Sequence, residues 1–398
     1  MNTKIPQGVS LSQFDDYRWV VNTPDGKNVL MNNRAAEFLI ILRDSINQDE
    51  AIKKFQEHFS QTVTETEFEG LVKTTFKGLN ILPDEKNVGY KKSYLTLKVP
   101  LLNARLSGFL AAPLSFLFRP LLFWPLFIGM FALNSVATII SFQTRILSIG
   151  NSNIILLTVL FGISMLIHEL GHIAACRQFR VRHGAIGFGF YFIFPVVYAD
   201  ITQIWNAAKA ERIIANAGGI HSELIYATSL LLTYKIIGDT TFLLAATGVF
   251  IKAVTELNPF IRYDGYWLLS DITNTPNLMK KSNEALRNVV SMIKLKVKLN
   301  RSERLNWNMS VRSSLLFLYS LINTLLLAAY LVYILVNFHS EIIQFPILIM
   351  SLFQKTVSFK LSLNDFPNGF LWILGFYILC LKFAISYVYS RLKKLLSA

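Results

Sequence analysis

Residues 152–176 read SNIILLTVLFGISMLIHELGHIAAC, an apolar run long enough to cross a bilayer core that closes on His168-Glu169-Leu170-Gly171-His172. In a helix, positions i and i+4 share a face, so both imidazoles can reach one ion. Glu169 lies beside them, placed to polarise water and carry its proton. Zinc suits the set because it accepts histidine and carboxylate ligands and keeps a fourth position open. The pattern is a demanding match for a chain with only six histidines. Two imidazoles and a carboxylate are expensive inside a membrane span, which points to function. The bland alternative is a helix end that turns three polar residues to the cytosolic interface. Counted from residue 152, His168 lies about 24 Å along the helix, in its cytosolic third.

A zinc site needs a further protein ligand, expected at the cytosolic end of another span. The stretch Glu256-Leu257-Asn258-Pro259-Phe260-Ile261-Arg262-Tyr263-Asp264-Gly265-Tyr266-Trp267 offers one. Asn258-Pro259 breaks the helix and Gly265 permits a tight turn. A broken helix at membrane depth can aim a carboxylate into a cavity. Asp264 is therefore the expected ligand; the alternative is a solvated loop residue beside Arg262. Cys176, one turn after His172, reads as a small apolar filler. Cys380 is the other cysteine, so a disulfide framework and a four-cysteine zinc site are both disfavoured. His183 and His221 read as polar interface residues or as support for the ligands.

Outward from this stretch, the 398 residues are 53% hydrophobic and only 16% charged, with a mean hydropathy of +0.41. A soluble chain carries about a quarter charged residues. The apolar excess starts near residue 100 and falls in blocks of about 20, a membrane-crossing length. Six spans are expected, at 121–142, 152–176, 213–233, 242–261, 313–338 and 368–389. Residues 91–120 read as an interfacial linker, with Leu101–Leu117 lying on the membrane. Gly184–Ala199 is too short and too broken by Gly and Pro to cross; it reads as a β-hairpin, re-entrant or at the surface. The N-terminus shows no cleavable signal peptide. Lys280, Lys281, Arg287, Lys294, Lys296 and Lys298 crowd the loop 262–312. Arg177, Arg180, Arg182, Lys209 and Arg212 lie in 177–212, and Arg391, Lys393 and Lys394 in the tail. The alternate loops hold Arg145, then Lys235, then Lys355 and Lys360. This bias places both termini in the cytoplasm.

Residues 1–90 differ in kind. They hold 10 Lys/Arg and 13 Asp/Glu, a net of −3 against +14 for the whole chain, so the remainder carries +17. Arg18–Met31 reads as two strands around Pro24-Asp25-Gly26. Asn32-Asn33 caps a helix over Arg34–Ser45; Gln48–Phe59 and Thr64–Leu79 repeat the amphipathic pattern, the last with Phe68, Leu71, Val72, Thr75 and Phe76 on one side. A hairpin with three short helices is the outline of a winged helix. Glu65, Glu67 and Glu69 on its third helix argue against phosphate contact, so no nucleic-acid partner is expected. The fold class is thus an α-helical polytopic membrane protein with a small N-terminal α+β winged-helix domain.

A His-Glu-x-x-His on one span and Asn258-Pro259 with Asp264-Gly265 on a later one resemble the site-2 protease family of intramembrane zinc proteases, over roughly residues 121–270. The resemblance implies a three-span core, 152–176, 213–233 and 242–266, with zinc held by His168, His172 and Asp264 and Glu169 as catalytic base. It is closer to a bacterial branch described as peptide zinc metalloproteases. The shared features are Phe194-Pro195-Val196-Val197-Tyr198-Ala199-Asp200, Trp205, Glu211-Arg212, the segment Ala217-Gly218-Gly219-Ile220-His221-Ser222-Glu223-Leu224, and Asp264-Gly265-Tyr266-Trp267. One departure stands out. Signalling members commonly carry an asparagine eight residues before the aspartate; that position is Glu256 here, and Asn258, the implied substrate-binding residue, is six before. No stretch fits the PDZ or CBS modules that signalling members often carry.

The pattern over 15–85 resembles the RiPP recognition element, the winged helix that binds leader peptides. That resemblance implies a leader strand added to the hairpin sheet, with apolar anchors beside Phe68, Leu71 and Phe76. The whole chain then reads as a zinc metalloendopeptidase of a bacterial inner membrane that matures a ribosomally made precursor peptide. The alternatives are a signalling protease that clips a membrane-bound regulator, and an inactive receptor or immunity protein. The intact His168, Glu169, His172 and Asp264 speak against the last.

Overall fold

The computed structural model describes residues 9–23, 28–77, 79, 81, 95–144, 153–191, 194–299, 310–358, 365–367 and 369–396. Pro24, Asp25, Gly26, Arg145 and Lys360, used above, lie outside the described residues. The chain divides into two compact units, Met1–Pro276 and Asn277–Ala398.

The first unit opens with β1 (Ser10–Asp15), β2 (Arg18–Asn22) and β3 (Asn28–Asn32), an antiparallel sheet in that order. The expected hairpin is β2–β3, in register from Arg18 opposite Asn32 to Asn22 opposite Asn28. β1 is an addition, because Ser10-Leu11-Ser12-Gln13 alternates too weakly to read as a strand. Helices α1 (Asn33–Arg43), α2 (Gln48–Phe59) and α3 (Glu65–Phe76) follow. Asn32 caps α1 by accepting from Ala35 N, and Thr64 and Glu67 form a capping box on α3. Phe38 sits among Phe55, Phe76 and Phe68, with ring centroids 4.8, 5.4 and 5.5 Å away. These pairs make the core of this part.

That packing corrects one expectation. Phe68 and Phe76 are fully buried, so they hold α3 against α1 and α2 and offer nothing to a ligand. Leu71 and Thr75, on the outer face of α3, are exposed. They line a groove of about 470 Å³ with Arg34, Phe38, Phe59 and Gln61.

The rest of the unit contains β4 (Leu95–Leu102), α4 (Ala104–Ala111), a 3-10 turn over Ala112–Phe118, α5 (Pro120–Gln143), α6 (Ile154–Gln178), β5 (Ile186–Tyr191) and β6 (Phe194–Ala199). A 3-10 turn over Thr202–Asn206 leads to α7 (Lys209–Asn216), α8 (Gly218–Ile237), α9 (Thr240–Glu256) and α10 (Asp264–Ile272). β5 and β6 pair as the hairpin expected across 184–199, and β4 joins them as a second antiparallel sheet, order β4-β5-β6. The segment expected to lie on a membrane surface becomes α4 and its following 3-10 turn, both packed on α6. Ser107, Gly108 and Ala111 are its buried face, while Phe109 is exposed.

The second unit comprises α11 (Leu278–Leu299), α12 (Val311–Asn337), α13 (His339–Val357) and α14 (Phe370–Leu396). The Tyr330 hydroxyl donates to Trp372 O at 2.7 Å and the Tyr377 hydroxyl to Ile342 O at 2.8 Å, tying α14 to α12 and α13. α13, with Pro346 inside it, is an addition to the sequence reading.

Among the described residues, three helices are long and apolar enough to cross a membrane: Pro120–Gln143, Ile154–Gln178 and Ser313–Asn337. The protein is mostly α-helical, membrane-associated and multi-pass. Only 11% of the most apolar window is buried in the first and third, against 33% in Ile154–Gln178, which makes α6 the helix wrapped by protein. The other expected spans are helical at α8, α9 and α14. The apolar character of α8 and α9 is interrupted by His221, Glu223, Lys252 and Glu256; the last three cluster at His168 of α6, while His221 packs against Phe118, Phe123 and Phe127.

Candidate metal centre

His168, Glu169 and His172 are buried on the closing turns of α6. Close helix packing puts them there. A Cβ on Gly171 would stand 2.3 Å from Gly218 O, and one on Gly219 would stand 2.4 Å from His168 Cε1 and Nε2. Only glycine lets the start of α8 lie directly over the motif. Asp264 enters from the other side, at the first position of α10, after the turn that Asn258-Pro259 starts.

The three residues meet at one point. His168 Nε2 lies 3.1 Å from Asp264 Oδ2, His172 Nε2 lies 3.2 Å from the same oxygen, and the two Nε2 atoms are 3.2 Å apart. Donors about 2.0–2.2 Å from a tetrahedral zinc stand roughly 3.3–3.5 Å from one another, so this triangle has nearly the right size. Asp264 Oδ2 is buried yet makes no hydrogen bond of good geometry. An orphaned carboxylate oxygen facing two imidazole nitrogens is a place that could hold a shared cation. His172 Nδ1 is 2.8 Å from Ala215 O; donating there leaves Nε2 free to ligate.

These residues line a pocket of about 340 Å³. Glu169 lies in its wall, with Val197, Tyr198 and Ala199 of β6 on one side and Trp205, Arg212, Asn216, Trp267 and Asp271 around the rest. Glu169 can therefore serve water or substrate in the same space that the donor triangle borders.

A second group of metal-donor spacing lies behind the first: His168, Glu223 and Glu256. His168 Nδ1 is 3.1 Å from Glu256 Oε2 and 3.6 Å from Glu223 Oε2. The Lys252 ammonium pairs with Oε1 of both carboxylates, at 2.7 Å to Glu256 and closer to Glu223. Sequence reasoning noted Glu256 as a departure from a pattern and missed Lys252. The available signal was a lysine four residues before that glutamate, on one helical face.

Other residues fall elsewhere. Asn258 Oδ1 accepts from Phe260 N at 2.9 Å and stabilises its own turn; it is not among the pocket-lining residues. His183 Nδ1 lies 3.1 Å from the adjoining Gly184 O. His221 is fully buried among Phe118, Phe123 and Phe127, so it is no surface residue. Cys176 is buried and belongs to neither donor group.

The N-terminal sheet reaches the pocket wall, which no local pattern foretold. Phe14 of β1 stacks on Trp205 at 5.7 Å, and the Arg212 guanidinium lies 3.9 Å over the Phe14 ring. Arg212 is itself buried, with Nε donating to Asp271 Oδ1 at 2.8 Å and Nη1 to Ala207 O at 3.0 Å. Burial raises the Asp271 carboxyl's pKa, and Arg212 and Asn216 pull it back. Polar contacts extend the junction: Ser12 Oγ donates to Asn206 Oδ1 at 2.7 Å, and Asn28 Nδ2 to Thr202 O at 2.9 Å.

Among curated proteins, the chain is similar to one from Bacillus subtilis (strain 168) provisionally named peptide zinc metalloprotease protein YydH. The two are 26% identical over 144 residues, which cover 35% of this chain and 57% of the relative. The match thus spans little more than half of that relative's length. No family model matches the chain, and no solved structure matches it.

Proposed function

We propose that this chain is an integral membrane zinc metalloendopeptidase of the site-2 type. His168, His172 and Asp264 hold the metal, and Glu169 is the general base. The observation that carries the reading is the triangle of donor atoms at 3.1–3.2 Å with Glu169 in the same pocket. Zinc bound there supplies Lewis acidity toward a peptide carbonyl and toward water. Glu169 takes the proton from the attacking water and passes it to the departing amine. Hydrogen bonding to Ala215 O holds the His172 ring, and β6 and Trp267 narrow the space around the substrate. The named relative and the multi-pass helices support the same class.

The substrate we infer is a ribosomally made precursor peptide, in a bacterial inner membrane with both termini cytoplasmic. Residues 1–90 act as its leader-binding domain. Two features favour this over a signalling protease. β3 pairs on one side only among the described residues, so an extended peptide can be added at that edge. The groove with Leu71 and Phe59 lies on the helical side of the same domain. Residues 91–120 link this domain to the membrane-embedded part, 121–398. The acid-rich α3 makes the domain a poor match for nucleic acid.

The test uses full-length protein in lipid vesicles with a short precursor encoded beside it. Cleavage should stop on chelation and return with added zinc. Cleavage that survives complete metal removal would overturn the reading, and cleavage confined to membrane-anchored regulators would replace the precursor with the signalling substrate.

A further inference from the structure

The ion cluster behind His168 has no part in the mechanism above. His168 presents Nε2 to Asp264 and Nδ1 to two carboxylates on other helices, Glu256 Oε2 at 3.1 Å and Glu223 Oε2 at 3.6 Å. Lys252 takes the opposite oxygen, Oε1, of each. The ammonium and the imidazole thus divide the four carboxylate oxygens, and both Oε2 atoms are left without another hydrogen-bond partner. Glu223 is fully buried; Glu256 and Lys252 are 17% and 27% exposed.

We propose that Lys252 is a positioning residue, which through Glu256 and Glu223 fixes the ring and tautomer of His168 and thereby sets how tightly the site holds zinc. An imidazole that ligates through one nitrogen must keep its proton on the other and give it to an acceptor. His172 uses a neutral backbone carbonyl, Ala215 O. His168 has carboxylates instead, which make it the stronger donor. Two carboxylates against one imidazole at membrane depth carry an excess of buried negative charge. Lys252 balances that excess and holds Glu256 and Glu223 in place from α9 and α8. The same ammonium disposes of a second metal in the group His168, Glu223 and Glu256: a cation already stands between the two carboxylates.

This inference rests on the zinc reading, and the test separates the two. Full-length protein in detergent is freed of metal, then titrated with zinc against a chromophoric chelator and with cobalt while its visible spectrum is recorded. The variants are Lys252→Met, Lys252→Arg, Glu256→Ala and Glu256→Gln. Lys252→Met and Glu256→Ala should weaken zinc binding about 10–100-fold and alter the cobalt spectrum. Lys252→Arg, which restores the charge, should recover most of both. Parental affinity and spectrum in Lys252→Met and Glu256→Ala would overturn the proposal, as would a Lys252→Arg protein no better than Lys252→Met. If Lys252→Met fails to fold, Glu256→Gln decides. It keeps an acceptor for Nδ1 and removes the charge, so it should show a smaller loss in affinity, and parental affinity there would overturn the proposal. A parent protein that binds neither zinc nor cobalt would overturn the zinc reading itself, and this inference with it.

Discussion

Gly219 on α8 faces His168 on α6 so closely that a single added carbon would stand 2.4 Å from the imidazole's Cε1 and Nε2. The ring has Asp264 on one side and Glu256 on the other, so it can yield only by leaving the donor triangle. Gly219→Ala should therefore abolish most zinc binding while leaving a multi-pass protein that still inserts in membranes. Metal analysis of the purified variant checks this; full zinc content would show that His168 is no ligand.

Glu169→Gln should keep zinc and lose cleavage. Glu169 stands outside the donor triangle, so its amide removes proton transfer and leaves the ligands intact. Loss of a general base typically costs about 10²–10⁴-fold in turnover. Turnover near the parent's in zinc-loaded variant would assign the base elsewhere.

Asp264→Ala should lose zinc and activity together. It removes the oxygen that both imidazole Nε2 atoms face at 3.1 and 3.2 Å. A variant with full metal occupancy would mean that the third ligand is another residue.

For residues 1–90, substitutions on α3 should separate fold from recognition. Phe68→Ala removes a fully buried ring at a cost of about 3–5 kcal/mol and should unfold the domain. Leu71→Glu alters an exposed groove position and should leave the fold intact. It should raise KM for full-length precursor more than it lowers kcat, because it removes binding remote from the metal. Leader binding should tolerate salt, whereas DNA binding would fall steeply with it. Tight duplex binding without peptide binding would sink the maturation reading.

Arg212→Ala should both destabilise the protein and loosen the N-terminal sheet. It removes the ion pair of Asp271, which keeps only the hydrogen bond from Asn216, and takes the nearer of two guanidinium groups from the Phe14 ring. Removing one partner of a buried pair costs about 3–5 kcal/mol. Thermal unfolding in detergent should drop clearly, and proteolysis of the N-terminal sheet by added protease should quicken. Arg212→Lys should restore little, since lysine lacks the planar fork that reaches Asp271 and Ala207 O together. Unchanged unfolding in both variants would count against the junction.

What local sequence settles is what depends on neighbours along the chain. The two histidines and Glu169 could be placed on one helix because helical periodicity is a local rule. The cap of α1, the hairpin β2–β3 and the hairpin β5–β6 could be read because their signals lie within a few residues of the elements they shape. Asp264 was legible as a candidate ligand because Asn258-Pro259 must end a helix wherever it occurs. The remainder required the fold. That Phe68 and Phe76 point into a core while Leu71 points out depends on which face of α3 meets α1 and α2. That Lys252, Glu223 and Glu256 close behind His168 depends on α8 lying against α6, which Gly171, Gly218 and Gly219 permit but do not announce. Phe14 and Arg212 are almost two hundred positions apart, and no periodicity connects them. Short-range sterics and hydrogen bonding act before the chain is folded. The partners of a buried charge or an exposed ring are decided only when distant helices pack.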